Sequence, residues 1–104
     1  GEDSQSIRDR VNLARQVAQE RFKQEKSIKS NAEMQSGHLR QFCQLDEASR
    51  SLLEGAIRKL GLSARAMDRI LKVSRTIADL AEAEKIQSPH VAEAIQYRTL
   101  DRIA

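Results

Sequence analysis

The sequence predicts an all-α fold, a four- to five-helix bundle, and three observations carry that prediction. Apolar residues recur at three- and four-residue steps along most of the chain, and helix start and stop signals bracket those stretches. The composition agrees: 104 residues hold one proline and four glycines, with a rich supply of Ala, Leu, Arg, Gln and Glu. A chain of this length buries roughly two-thirds of the surface its unfolded form exposes, which allows one modest core.

The first helix runs from Ser4 or Ser6 to about Lys26, where Ile7, Val11, Ala14, Ala18 and Phe22 make one face apolar and the opposite face is charged. Lys23 to His38 then loses periodicity and gathers Ser, Asn and Gly, as loops do. Leu39, Phe42 and Cys43 fit a short helix after Ser36. Asp46 is the expected N-cap of a third helix carrying Leu52, Leu53, Ala56, Ile57 and Leu60, and Gly61 stands where a left-handed C-terminal residue is wanted. Ser63 caps a fourth helix that runs to about Ala83. Ser88 caps a fifth, with Pro89 at the first helical position, which tolerates a missing N–H. Lys85-Ile86-Gln87 is too short for a sheet but long enough for an extended contact. There is no internal repeat and no low-complexity segment.

The charge of +3 is the balance of 18 basic and 15 acidic residues spread along the whole length. With no basic tail or block, non-specific nucleic-acid binding is permitted but not implied. Cys43 is the single cysteine, which excludes an intramolecular disulfide framework and a cysteine-rich zinc site and fits a reducing compartment. No stretch approaches the roughly 20 apolar residues of a membrane span, and no charged-then-apolar leader opens the chain. A start at Gly1 without an initiator methionine leads us to expect a processed product or a piece of something longer.

The fourth helix, within "LSARAMDRILKVSRTIADL", poses the functional question. Its start presents unpaired N–H groups and the positive end of the macrodipole, so Arg65 in the first turn costs a few tenths of a kcal/mol, up to about 1. At about 100° per residue, Met67, Ile70, Val73, Ser74, Ile77, Ala78 and Ala81 fall on one side. Arg65, Arg69, Lys72 and Arg75 gather on the other with Asp68 and Asp79. The second side reads either as a solvated face with some ion pairs or as an anion site. A helix N-terminus already attracts phosphate through its N–H groups, and an arginine there adds a permanently charged, bidentate donor.

Other candidates carry less. His38 and His90 lie far apart without Cys, Asp or Glu at metal-ligand spacing, so they read as satisfied or solvated side chains rather than ligands. Cys43, between Phe42 and Leu45, reads as a small core residue without a lowered thiol pKa. No GxxxxGK[ST] phosphate loop occurs, nor a dinucleotide glycine fingerprint, nor a Ser/His/Asp arrangement arguable from spacing. By itself the chain is not expected to be an enzyme.

"LSARAMDRILKVSRTIADL" and "HVAEAIQYRTLDR", with "SIRDRVNLARQVAQERF" before them, resemble the C-terminal region of the bacterial magnesium-chelatase-like competence ATPases of the ComM and YifB type. The resemblance covers nearly the whole chain. It departs mildly at Ser74, where the family usually has alanine, and at Met67, where it often has an aromatic residue.

What the resemblance implies goes further than the spacing. Residues 1–104 would form a single helical lid domain of the AAA+ type, part of a longer ATPase whose phosphate loop and magnesium-site motif lie upstream in the same chain. Arg65 would match the second sensor arginine, catalytic in the full-length protein and aimed at the γ-phosphate of ATP, with Ser63 and Arg69 beside it as cofactor-binding residues. The resemblance further implies ATP with magnesium in the full-length protein but none retained by these residues alone. It implies a homo-hexamer, a DNA partner, coupling of hydrolysis to branch-migration-like remodelling, a cytoplasmic location and no membrane. Two other readings stay open beside it. One is a stand-alone helical DNA-binding module placing Arg65, Arg69, Lys72 and Arg75 on phosphates; the other is a helical protein-interaction adaptor.

Overall fold

The all-α expectation holds in the computed structural model, which describes residues 2–103, with side chains through residue 98. Five helices follow in order: α1 (Ser4–Arg21), α2 (Ser36–Phe42), α3 (Glu47–Leu60), α4 (Ala64–Leu80) and α5 (Ser88–Ile103), with a 3-10 turn at Asn31–Glu33. α4 is the central element, packing against α5 along its length and meeting α1, α2 and the 3-10 turn on its other sides.

Local chemistry sets most helix ends where the sequence places them. Asp46 Oδ1 accepts from Ser49 N at 2.7 Å to open α3, and Gly61 closes it in the left-handed region at φ 63°. The Leu62 amide then donates back to Ile57 O, satisfying a carbonyl the helix leaves open. Ser63 Oγ accepts from Ala66 N at 3.1 Å to start α4.

Three ends differ from expectation. α1 stops at Arg21 rather than near Lys26, because Phe22 leaves the helix to bury its ring edge-on against Phe42, centroids 5.4 Å apart. α4 stops at Leu80 rather than Ala83: Glu82 takes a left-handed φ of 57°, and Ala83 N returns to Ala78 O at 2.8 Å. α5 begins one residue early. The Gln87 carbonyl accepts from His90 N and Val91 N, and His90 Nδ1 accepts from Gln87 N at 2.9 Å, so Gln87 rather than Ser88 is the capping residue. Pro89 moves to the second helical position, where a missing N–H is equally harmless.

Lys85–Gln87 does make the extended contact. Ile86 pairs with Leu45 in an isolated parallel bridge that sets the starts of α3 and α5 side by side, Ser49 Oγ lying 3.5 Å from Ser88 Oγ. The core gathers Phe22, Ile28, Met34, Leu39, Cys43, Leu53, Ile70, Ala78, Ile86, Val91 and Ala94. Ile28 and Met34 come from the stretch that reads as a loop, yet each is only 2% exposed. At roughly 1.5–3 kcal/mol for a fully buried large aliphatic side chain, that stretch is a structural part of the domain rather than a solvated connector.

Candidate functional site

Arg65 is the second residue of α4, two positions past the Ser63 cap and within the first turn, and its side chain is exposed. It makes no hydrogen bond or ion pair with another described residue, so no local contact offsets its unfavourable place at the positive end of the helix. The Ala64 and Arg65 amides have no intrahelical acceptor ahead of them, because an α-helix leaves its first N–H groups unpaired. Backbone donors and a guanidinium therefore converge on the same end of α4.

From that end an open groove of about 630 Å³ runs along the helix, lined by Arg65, Asp68, Arg69, Lys72 and Val73, with Ala32 of the 3-10 turn as its far wall. Arg65, Arg69 and Lys72 stand at i, i+4 and i+7, which places them in one row. Arg69 also lines an adjoining depression with Ile70, Val73, Ala94, Tyr97 and Arg98. Arg65 and Arg69 thus line one groove. Ser63 is differently employed: its Oγ is taken up by the Ala66 amide, which makes it a helix cap outside the groove lining.

Arg75 and Asp79 correct the reading of the charged face, because both are buried, at 5% and 3% exposure. Arg21, from the last turn of α1, clamps Asp79 with Nη1–Oδ2 at 2.8 Å and Nη2–Oδ1 at 2.7 Å. Asn31 Nδ2 donates to Asp79 Oδ2 at 2.9 Å and to Thr76 Oγ1 at 3.1 Å, and Arg75 Nη2 reaches Asp79 Oδ1 at 3.2 Å and Ala83 O at 3.0 Å. Burial pushes the Arg75 guanidinium below its ordinary range, against the opposing pull of Asp79. The charged side of α4 is therefore split. Its first half opens as the cationic groove, and its second half is closed over by α1 and the 28–34 segment. A DNA-binding row of four cations loses its last member.

This network was not legible in the sequence. Arg75 and Asp79 at i, i+4 have the spacing of an ordinary surface ion pair, and the partner that buries them is 58 residues from Asp79. Both histidines do turn out to be structural. His38 Nδ1 accepts from Gln35 N at 2.9 Å at the start of α2, the same contact His90 makes at the start of α5. Cys43 is a core residue as expected, its thiol pushed up to about 11 by burial despite the nearby Arg75 and Arg21 charges. Among the described residues no group of three His, Cys, Asp or Glu converges as a metal site, and no helix is long and apolar enough to cross a membrane.

Residues 1–98 match the family described as magnesium chelatase, subunit ChlI C-terminal. The chain is 44% identical over 103 residues to the competence protein ComM of Haemophilus influenzae and 43% identical over 103 residues to the uncharacterized protein YifB of Escherichia coli. It is 38% identical over 103 residues to YifB of Salmonella typhimurium. Each comparison covers 99% of this chain but 19% of the relative, so the chain spans about one-fifth of the length of the curated relatives it matches. No solved structure matches it significantly.

Proposed function

Because the chain belongs to the magnesium chelatase ChlI C-terminal family, we propose that residues 1–104 are the lid domain of an AAA+ ATPase and that Arg65 is its phosphate-sensing residue. The observation that carries this reading is an exposed arginine in the first turn of α4 that no described residue engages, at the head of a groove shared with Arg69 and Lys72. The family resemblance supports the remaining parts: a larger upstream portion that supplies the phosphate loop and magnesium ligands, assembly as a homo-hexamer, and DNA as the substrate remodelled.

The residues present fit a nucleotide phosphate. Magnesium-bound ATP, held by the upstream portion, supplies the phosphoryl group and its leaving group. This chain supplies positive charge. The Arg65 guanidinium, permanently protonated and planar, donates to phosphate oxygens and stabilises the charge that develops on them. Ser63 fixes the first turn of α4 and hence the direction from which Arg65 approaches. Arg69 and Lys72, one and two turns on, raise the positive potential of the groove. When the terminal phosphate is gone Arg65 loses that contact, so the two nucleotide states favour different lid positions. The Arg21–Asp79 clamp joins α1 to α4, so a shift of Arg65 moves the domain as one body rather than bending α4 alone.

The test is ATP hydrolysis by the intact protein. Arg65→Ala should lower turnover by about 10²–10³-fold, the loss typical of one preorganised donor, whereas Lys72→Ala should cost far less. The 104-residue chain alone should show no steady turnover. Undiminished hydrolysis by the Arg65→Ala protein would refute the sensor role, and turnover by the isolated chain would refute the lid reading.

A further inference from the structure

α1 is an 18-residue helix with no buried residue, and among the described residues it holds three of the five large apolar side chains left exposed: Ile7 at 45%, Leu13 at 42% and Val17 at 45%. At 100° per residue these three fall within an arc of about 120°, which they share with Arg10, whose guanidinium is paired with Glu2. Ala14 lies within that arc and Val11 and Ala18 adjoin it, and all three are half-buried. The helix is held at its far end, where Arg21 clamps Asp79 and Phe22 enters the core. A helix of this length is marginal in water without tertiary packing; the side that carries Val11, Ala14 and Ala18 packs on α4, whereas Ile7, Leu13 and Val17 remain in solvent.

We infer that this face of α1 is the seat on which the preceding part of the same polypeptide docks. The relatives are about five times as long as this chain, and the family is described as a C-terminal unit. In a protein built like those relatives, some four-fifths of the polypeptide lies on the N-terminal side of the domain, ahead of α1. A surface tethered to the domain through a short connection meets the helix at an effective concentration in the millimolar range, so a modest apolar patch suffices to hold it. The docking is a second contact between the domain and the upstream portion, separate from the groove at Arg65. It rests on the domain being part of a larger protein and not on the nucleotide reading.

The test uses the purified intact protein without nucleotide and reads thiol labelling site by site by peptide mass spectrometry. Leu13→Cys and Val17→Cys sample the arc, while Gln16→Cys and Gln19→Cys sample exposed positions outside it on the same helix and serve as the reference. Labelling at 13 and 17 should be slower than at 16 and 19 by roughly tenfold or more, since reaction requires access to the thiolate, and dilution should not change the ratio. A photo-crosslinker attached at Asp9→Cys, on the rim of the arc, should give a product of one-chain mass. Equal labelling rates at all four sites overturn the inference. So does a crosslinked product of two-chain mass, which would make a second copy the occupant.

Discussion

Arg21 and Asp79 form a two-point ion pair across 58 residues of sequence, at 2.8 and 2.7 Å, with side chains 10% and 2% exposed. The pair fastens the end of α1 to the second half of α4, and Asn31 and Arg75 complete the shell around the carboxylate. Two cations around one anion leave this buried cluster with an excess positive charge, so it depends on every bond to that carboxylate.

Removing the carboxylate should therefore be costly. Asp79→Ala leaves Arg21 and Arg75 facing each other without their shared partner, and breaking a buried pair from one side typically costs about 3–5 kcal/mol. Urea unfolding should register a loss of that order, while Glu20→Ala, which removes an exposed pair with Lys23, should change stability by less than about 1 kcal/mol. Equal effects from the two changes would mean that the cluster contributes no more than a surface contact.

The left-handed positions give a pair of opposite effects. Glu82 ends α4 at φ 57° and Gly61 follows α3 at φ 63°. A residue with a Cβ there is strained by roughly 1–2 kcal/mol, which glycine avoids. Glu82→Gly should raise stability by about 0.5–1 kcal/mol, after the greater freedom of the unfolded chain is subtracted. Gly61→Ala should lower it by a similar amount or more, although no atom lies within 4 Å of the added Cβ. Thermal melts of the two variants should move in opposite directions.

What the sequence makes legible is local. Asp46, Gly61 and Ser63 were readable because a cap acts through its own backbone within three or four residues. Ser88 misled by one position, since His90 reaching back to Gln87 gives no spacing signal as plain as Ser-Pro. Ile28 and Met34 looked like loop residues because an irregular segment has no period to reveal which side chains turn inward. At the candidate site Arg65 stood out by conflicting with a local rule, its charge at the wrong end of a helix. The wall supplied by Ala32 and the withdrawal of Arg75 and Asp79 from solvent were hidden, because both depend on packing across long stretches of chain.

The capping aspartates predict an acid-sensitive contribution. Hydrogen bonds from Ser49, side chain first and then backbone, hold the Asp46 carboxyl below its usual value of 3.8; the Ser6 backbone amide, the largest cause, does the same for Asp3. A carboxyl depressed in the folded state favours folding above its unfolded pKa, and that contribution is lost as pH falls through the lower folded value. Stability attributable to these caps should be constant near neutrality and decline below about 3.8. Asp46→Asn keeps a cap that does not titrate, so its stability should fall less steeply over that acid range. Parallel curves for the two proteins would remove Asp46 from the acid response.

The two ends of α4 should respond oppositely to the same substitution, although Arg65 and Arg75 sit on one charged face by spacing alone. Arg65→Ala removes an exposed cation from the positive end of the helix and installs the best helix former, so the domain should be unchanged or more stable by a few tenths of a kcal/mol. Arg75→Ala does the reverse. It takes away the donor to Ala83 O and one of the contacts to Asp79, empties a buried site beside Phe42, and leaves a carbonyl at the end of α4 without its partner. Ala83 is half-buried, so its orphaned carbonyl costs less than the roughly 1–3 kcal/mol of a fully buried acceptor, and the lost packing around the Arg75 stem adds to it. Chemical unfolding of both variants, set beside ATP hydrolysis by the corresponding intact proteins, separates their roles. Arg65→Ala should lose activity while keeping the fold, and Arg75→Ala should lose activity only as far as it loses stability. If Arg65→Ala unfolds the domain, the exposed arginine is serving the fold and not a phosphate.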